Sequence, residues 1–320
     1  MSRRTLSPEQ LFTAACDGDR AALARVLSLL ERGDAVAREV GRLAYKRSGT
    51  GYTVGITGAP GAGKSTLTSS LITHLRKQDL EIAVLAIDPS SPFTGGAILG
   101  DRVRMQDHAT DPGVFIRSMA TRGHLGGLSL STPEAIRMLD AVGRKWILVE
   151  TVGVGQVEVE IAGKADTTVV VLNPGWGDSV QANKAGLMEI ADVFVINKAD
   201  RKGVEETRRD IEQMLELSDI AHEAWHPPII ATIGSTGEGV SEMWDAVLEH
   251  RASIESTGVL KTRREFRLRA ELREIVARRL ELKAREILSG DQWDGLQSQV
   301  LNHELDPWSA ADEMLRGVGA

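Results

Sequence analysis

The sequence predicts an α/β protein whose mostly parallel sheet of about seven strands is covered by helices on both faces. Between residues 50 and 255, short β-branched apolar segments alternate with amphipathic helical segments, a pattern typical of parallel sheets. A glycine-rich loop at residues 58–66 joins the first of these strands to a helix. Toward both ends of the chain the pattern is helical, which indicates two helical additions to the sheet domain.

Composition is ordinary for a globular protein, with 320 residues that are 42% hydrophobic and 26% charged. The net charge of −7 and the pI near 5.6 argue against nucleic acid or an anionic membrane as the main partner. Cys16 is the only cysteine, which excludes a disulfide framework and a cysteine-based metal cluster. Because the N-terminus has no apolar signal region and no apolar run reaches about 18 residues, we expect a cytoplasmic protein.

Residues 1–48 are predicted to form an N-terminal helical module that packs on the main domain. The segment Ser7-Pro8-Glu9-Gln10 fits a capping box with proline at the first helical position. A break at Gly18-Asp19 ends this helix, a second helix ends at Gly33, and a third follows from Asp34. We find no candidate catalytic residue among these residues, so packing is their expected role.

Residues 49–256 are predicted to form the main domain. Its candidate strands are 53–57, 81–87, 114–118, 145–150, 166–172, 192–196 and 228–232. Its candidate helices lie near 64–77, 99–108, 132–142, 156–164, 184–190, 203–217 and 239–254. Since ligands of such sheets bind at the carboxyl ends of the strands, polar residues that follow a strand are the candidate site.

Residues 257–320 are predicted to form a C-terminal helical arm. An amphipathic helix over 262–289 carries nine Lys or Arg against five Asp or Glu between Arg263 and Glu286. The interleaved acids favour a solvated helix whose apolar stripe packs on a second subunit, although a nucleic-acid arm is conceivable. A last short helix begins at Asp306-Pro307.

The loop GAPGAGKST matches the phosphate-binding pattern G-x-x-x-x-G-K-[ST] at each fixed position, and it has the strand before and the helix after that the pattern requires. Its glycines let successive backbone N–H groups point at a phosphate, and the helix N-terminus adds its positive dipole. Lys64 would reach the β- and γ-phosphates, and the Ser65 hydroxyl would ligate Mg²⁺. The residues predicted to bind the nucleotide here are Gly58, Ala59, Pro60, Gly61, Ala62, Gly63, Lys64, Ser65 and Thr66.

The segment Asn197-Lys198-Ala199-Asp200 directly follows a predicted strand and selects guanine over adenine. The Asp200 carboxylate can accept hydrogen bonds from both the ring N1–H and the exocyclic amine of guanine, a pair that adenine does not present. Asn197 would bond the base edge or the neighbouring loop, and the Lys198 stem would cover the base plane. The sequence therefore predicts GTP as the nucleotide.

Acidic residues follow other strands. Glu150 ends a strand where a carboxylate normally completes the Mg²⁺ shell, and the backbone N–H of Gly153 is placed to meet the γ-phosphate. Asp88 and Asp101 are candidates to ligate the metal or to polarise the attacking water, although a turn cap and a helix cap are the structural alternatives. Gln156 is a further candidate to orient water. The predicted catalytic set is Lys64, Asp88, Asp101, Glu150 and Gly153, and the predicted metal set is Ser65, Asp88, Asp101 and Glu150.

Five segments together resemble one family: GAPGAGKST, AIDPSSPFTGGAILGDRVRM, TRGHLGGLS, ETVGVGQVEVEIAGKADTTVVVLNPGWGD and NKAD. They are similar to the MeaB/ArgK family of SIMIBI-class P-loop GTPases, the chaperones of adenosylcobalamin-dependent methylmalonyl-CoA mutase. The resemblance extends over essentially the whole chain. An older name for this family, an ATPase or kinase of lysine/arginine/ornithine transport, fits poorly with Asn197 and Asp200.

The resemblance implies a GTPase that uses GTP/GDP and Mg²⁺, is slow alone and is faster with the mutase bound. It implies that the protein gates adenosylcobalamin loading and protects or reactivates the mutase. It also implies a homodimer through the C-terminal arm and a switch segment, residues 173–184, in which Asp178, Gln181 and Lys184 respond to nucleotide and contact the partner. The loop at 232–239 departs from the family pattern, but Gly234 can still supply the backbone N–H for guanine O6.

Two other readings remain. A nickel-delivery GTPase of the same class loses weight because the seven histidines are scattered and Cys16 is the only thiol. A phosphotransferase, such as an ATP-dependent transport kinase, would need a base for its acceptor, and the sequence offers no clear candidate for it.

Overall fold

A computed structural model of the chain describes residues 6–33, 35–88, 105–120, 131–151, 163–175, 186, 189–217, 225–287 and 291–316. The strands, numbered in chain order, are β1 (Tyr52–Gly58), β2 (Ile82–Asp88), β3 (Val114–Ala120), β4 (Trp146–Thr151), β5 (Thr167–Leu172), β6 (Val193–Asn197) and β7 (Ile229–Thr232). The helices are α1 (Pro8–Cys16), α2 (Arg20–Arg32), α3 (Ala35–Arg47), α4 (Lys64–Lys77), α5 (Ser131–Ala141), α6 (Val204–Leu217), α7 (Val240–Ser256), α8 (Val259–Ile287), α9 (Asp291–Leu301) and α10 (Pro307–Arg316). The chain divides into two compact units, Met1–Arg264 and Glu265–Ala320.

The seven strands form one parallel sheet in the order β3-β2-β4-β1-β5-β6-β7. This confirms the predicted α/β class and the predicted strand number, and each strand lies close to its expected position. Because the strands are parallel, their carboxyl ends share one edge of the sheet. Gly58, Asp88, Thr151, Asn197 and Thr232 are the last residues of their strands and mark this edge.

Helices cover both faces of the sheet, and each face has its own core. Leu71 of α4 and Trp244 of α7 are buried against one face. Leu27 of α2 and Val40 of α3 are buried in the core of the other face, which α5 completes. Side chains of β2 alternate between the two cores, as expected for a central strand that is covered on both sides. The N-terminal helices thus share a core with the sheet.

Local signals in the sequence explain how the first helices begin and end. The Ser7 hydroxyl accepts the Gln10 amide at 3.2 Å, and Gln10 Oε1 accepts the Ser7 amide at 3.0 Å, so the predicted capping box is present. Asp19 caps α2 by accepting two backbone amides. Gly33 ends that helix with a φ of 73°, a conformation that glycine adopts without steric cost.

A polar cluster at the amino edge of the sheet anchors the start of α8. The buried carboxylate of Asp166, just before β5, accepts Arg264 Nε at 3.1 Å and Arg264 Nη2 at 2.7 Å. Asp192, just before β6, accepts Arg263 at 3.0 Å and lies 3.1 Å from Nε2 of the buried His250. These two guanidinium groups, which are 41% and 30% exposed, are thus paired with largely buried carboxylates, whereas the sequence predicts a solvated helix.

The second unit contains most of α8, followed by α9 and α10. Leu296, Ala310 and Met314 form its small core. Helix α9 was not predicted, although Trp293, Leu296 and Val300 recur at helical spacing. Along α8, the exposed fractions of Leu272, Val276 and Leu280 are 62%, 49% and 62%.

Within the described ranges, no helix has the length and apolar composition needed to cross a bilayer.

Candidate nucleotide-binding site

The phosphate-loop segment lies between β1 and α4, and close packing requires glycine at two of its positions. At Gly58, where φ is 131°, a Cβ atom would lie 2.0 Å from the Val171 carbonyl oxygen. At Gly63, where φ is 90°, a Cβ atom would lie 2.6 Å from Asn197 Nδ2. Gly63 provides no side-chain cap for α4, and a helix N-terminus without such a cap is a general site for anions.

The Lys64 side chain is buried within the loop rather than extended into solvent. Its exposed fraction is 7%, and its Nζ donates to the carbonyl oxygens of Gly58 at 2.6 Å and Ala59 at 3.1 Å. The Lys64 ammonium has three N–H donors. It can therefore exchange a carbonyl oxygen for another acceptor with only a small movement. The ammonium therefore lies among the backbone groups that the sequence assigns to the phosphates.

Ser65 and Glu150 meet at the carboxyl edge, although 85 residues separate them in sequence. The Ser65 hydroxyl donates to Glu150 Oε1 at 2.5 Å, and the residues are 6% and 1% exposed. They are brought together because β4, which carries Glu150, pairs directly with β1. A hydroxyl beside a carboxylate is an oxygen donor set, and Mg²⁺ takes such donors with phosphate oxygens and water. The two residues therefore fit the predicted metal.

No larger set of protein ligands is present in the parts of the chain that the structure describes. Within those ranges, no three His, Cys, Asp or Glu side chains come together as a metal site. This is compatible with Mg²⁺ in nucleotide sites, where few protein groups bind the ion and substrate phosphates supply the rest.

Asn197 connects two loops of the candidate site. Its Nδ2 donates to the carbonyl of Ala62 at 2.8 Å, and its Oδ1 accepts the Thr232 hydroxyl at 3.1 Å and the Gly234 amide at 2.9 Å. The residue is 2% exposed. Of the two roles that the sequence left open, the structure favours the contact with neighbouring loops.

Lys198 and Asp200 differ from Asn197 in lying toward solvent. Lys198 has a φ of 61°, and its Nζ donates to the Gly61 carbonyl at 2.6 Å, so its side chain extends over the phosphate loop. Asp200 is exposed, and among the described contacts its carboxylate has no protein partner. A carboxylate at this edge is therefore available to an incoming base.

Gly234 is engaged within the protein. Its amide donates to Asn197, its carbonyl accepts the Ser70 hydroxyl at 2.5 Å, and a Cβ atom at this position would lie 3.2 Å from the backbone of Leu67. The assignment of the Gly234 amide to guanine O6 stays a prediction, and that amide would have to leave Asn197 to make the contact.

Several predicted site residues are not covered by this geometry. Asp101, Gly153, Gln156, Asp178, Gln181 and Lys184 lie outside the described residues. Asp88 ends β2 at the carboxyl edge, but its side chain also lies outside what the structure describes. Their roles remain predictions.

Two residues that the sequence analysis missed support the loop that follows β7. Ser70 bonds the Gly234 carbonyl from α4, and Thr232 bonds Asn197 from the end of β7. The position of Thr232 directly before a glycine-containing loop was a usable signal. Ser70 offered none, because a serine on the polar side of a helix is commonplace.

Comparison with known proteins agrees with this site. Residues 23–288 match a family model described as methylmalonyl Co-A mutase-associated GTPase MeaB. A Pyrococcus horikoshii protein assigned as a GTPase is 50% identical over 312 residues, covering 97% of this chain and 98% of that protein. The mouse methylmalonic aciduria type A homolog, mitochondrial, is 33% identical over 326 residues, covering 96% of this chain and 79% of that protein.

Among solved structures, one titled as a LAO/AO transport system kinase superposes with a TM-score of 0.73. The two sequences are 24% identical, and the match covers 100% of both chains. At this identity the likeness supports the fold alone.

Proposed function

The chain belongs to the family of methylmalonyl-CoA mutase-associated GTPases, MeaB, and from that membership we propose that it is a GTP-hydrolysing chaperone of an adenosylcobalamin-dependent mutase. In this role it gates the loading of adenosylcobalamin and protects or reactivates the mutase. The family description names the mutase, and the mouse relative is named for methylmalonic aciduria, a name that applies to that protein. Both point to the same partner chemistry.

The arrangement of Asn197 and Asp200 carries the nucleotide part of the proposal. Asn197 is used entirely to hold two loops together, whereas Asp200 is exposed beside them. A free carboxylate at this position discriminates for the N1–H and exocyclic amine of guanine, since adenine has an acceptor at N1. GTP is therefore the preferred nucleotide.

The proposed reaction is the in-line attack of water on the γ-phosphate. Lys64 exchanges its carbonyl partners for β- and γ-phosphate oxygens, and the amides at the start of α4 bind the phosphate chain. Ser65 and Glu150 would hold Mg²⁺, which neutralises charge on the β- and γ-phosphates when it is bound. Asp88 and Asp101 would either ligate the metal with them or polarise the attacking water.

The proposed homodimer rests on the exposed apolar row of α8. Leu268, Leu272, Val276 and Leu280 recur every four residues, and each is more than 40% exposed. Exposing such an apolar row to water is unfavourable, and a second copy of the chain that covered the row would remove this apolar area from water. We assign this contact to the C-terminal arm, residues 257–320, and partner contacts to Asp178, Gln181 and Lys184.

The decisive experiment measures GTP turnover by the purified protein, with and without the cobalamin-dependent acyl-CoA mutase of the same organism, and with ATP in parallel. We expect slow GTP-selective turnover that the mutase accelerates. Turnover that ignores the mutase would retain the GTPase and remove the chaperone role. A preference for ATP, or transfer of γ-phosphate to an acceptor other than water, would favour a phosphotransferase.

A further inference from the structure

Helix α2 is hydrogen-bonded to both ends of the edge strand β3. At the amino end of β3, the Arg20 guanidinium donates to the carbonyls of Val114 at 2.8 Å and Asp111 at 3.0 Å. At the carboxyl end, Glu31 Oε1 accepts the Ala120 amide at 3.1 Å. A strand at the edge of a sheet has unpaired backbone groups on one side, and α2 satisfies them at both ends.

Glu31 is itself held by other side chains. Its second oxygen, Oε2, accepts Arg117 Nη2 at 3.1 Å, and the same nitrogen donates to the Ser28 hydroxyl at 3.0 Å. The Glu31 and Arg117 side chains are 11% and 17% exposed. Because these bonds involve charged groups in a largely buried place, they are stronger than exposed polar contacts. The Glu31 carboxylate, which Arg117 holds in place, therefore restrains the position of the Ala120 amide.

The position of Ala120 in the sheet connects its hydrogen bond with Glu31 to the candidate site. Ala120 is the register partner of Asp88 on β2, at the carboxyl edge of the sheet. Two residues earlier on β2, Ala86 is the register partner of Glu150, the carboxylate that receives the Ser65 hydroxyl. Glu31 thus fixes the end of β3, which lies beside β2. Strand β2 carries the candidate ligand Asp88 and pairs on its other side with β4, the strand of Glu150.

We propose that Glu31, from the N-terminal helices, is a positioning residue for the metal side of the nucleotide site. It keeps the end of β3, and through it the end of β2, in the register that Mg²⁺ and the phosphates require. The inference rests on the proposed GTPase site. Arg20 performs the same structural task at the opposite end of β3, far from the carboxyl edge, and so provides a matched control on the same helix and strand.

The test compares Glu31→Ala with Arg20→Ala in the full-length chain. The main readout is the dissociation rate of a fluorescent GDP analogue as a function of Mg²⁺ concentration, because it reports metal coordination without turnover. We expect Glu31→Ala to raise the Mg²⁺ concentration for half-maximal retention about tenfold, as one lost charge-assisted hydrogen bond would do. Retention without Mg²⁺ should stay unchanged, and Arg20→Ala should lower the unfolding midpoint while leaving the Mg²⁺ dependence as in the wild type.

A second variant keeps the outcome clear if Glu31→Ala folds poorly. Glu31→Gln retains an oxygen for the Ala120 amide but loses the charge that faces Arg117, so an intermediate shift is expected. Equal Mg²⁺ dependence in wild type, Glu31→Gln and any folded Glu31→Ala would overturn the positioning role, as would equal shifts in the Arg20 and Glu31 variants. A wild-type protein whose GDP retention ignores Mg²⁺ would instead overturn the proposed metal site and this inference with it.

Discussion

The Asn197 side chain holds the Ala62 carbonyl at 2.8 Å, across 135 residues of sequence. Through its other end it also holds Thr232 and Gly234. One buried amide therefore joins the predicted phosphate loop to the loop that follows β7. In the proposed site, selectivity for the base depends on the exposed Asp200. We therefore expect substitutions of Asn197 and of Asp200 to have different effects on stability and on nucleotide preference.

Replacing Asn197 by alanine should harm both the fold and the site. The change leaves buried backbone donors and acceptors unpaired, so the free energy of unfolding should fall by about 2 kcal/mol. The affinities for GTP and for GDP should fall by a similar factor, because both nucleotides would use the two loops that Asn197 joins. Denaturant titration and fluorescent-nucleotide binding check this, and unchanged stability would contradict the bridging role.

Replacing Asp200 by alanine should affect recognition only. The side chain is exposed, so stability should change by less than about 0.5 kcal/mol. The loss of two charge-assisted hydrogen bonds should lower GTP affinity by about a hundredfold and reduce the preference over ATP. Glu205→Ala, which removes another exposed acid, is the control and should leave both affinities intact.

Replacing Lys64 by alanine should slow GTP turnover about a hundredfold or more while the protein stays folded. In the proposed mechanism the Lys64 ammonium stabilises charge on the transferred phosphate, and loss of such a group lowers reaction rates by about this factor. Single-turnover assays with labelled GTP measure the effect, with circular dichroism as the test of folding. A normal rate would exclude the proposed mechanism.

Replacing Arg264 by alanine should be among the most destabilising changes at the amino edge of the sheet. It would leave the buried Asp166 carboxylate without its guanidinium, a change that costs about 3 kcal/mol or more. Arg278→Ala breaks a more exposed pair with Glu281, and should cost less than about 1 kcal/mol. Comparable losses in the two variants, measured by denaturant unfolding, would argue against the anchoring role.

The ion pair between Arg76 and Asp111 should make stability depend on pH in the acid range. The hydrogen bond from Arg76, aided by the Gly113 amide, lowers the pKa of Asp111 from its ordinary 3.8. Because the pKa of Asp111 is lower in the folded than in the unfolded protein, its contribution to stability is complete above the unfolded-state pKa. The contribution is lost as the pH falls through the folded-state pKa. The stability difference between wild type and Asp111→Asn should therefore be constant from neutral pH to about 5 and shrink below about 4.

Much of the fold could be predicted because its signals are local. Apolar strands, the capping box at Ser7 and the glycine at the end of α2 are each encoded within a few residues. Contacts between distant segments could not be predicted in this way. The pairing of Arg264 with Asp166 depends on the packing of α8, although an acid directly before each of β5 and β6 was a visible hint.

The candidate site shows the same division. The glycine spacing predicted the position of the phosphate loop, because loop chemistry depends on neighbouring residues. The role of Asn197 depended on which loops the sheet order brings together, and sequence spacing does not contain that order. Helix α9 was missed for a simpler reason, since its short apolar period lies among many polar residues.

The strand order also determines when the site can form during folding. Strand β1 lies between β4 and β5, and the bonds that join Thr57 to Thr151 and Thr53 to Asp166 span 94 and 113 residues. Closing such long loops is entropically costly and slow. Strand β1, which leads into the phosphate loop, can therefore gain both of its neighbours only after β5 has been synthesised. A nucleotide that binds the folded domain and not the unfolded chain should stabilise it by a free energy that grows with the logarithm of the nucleotide concentration.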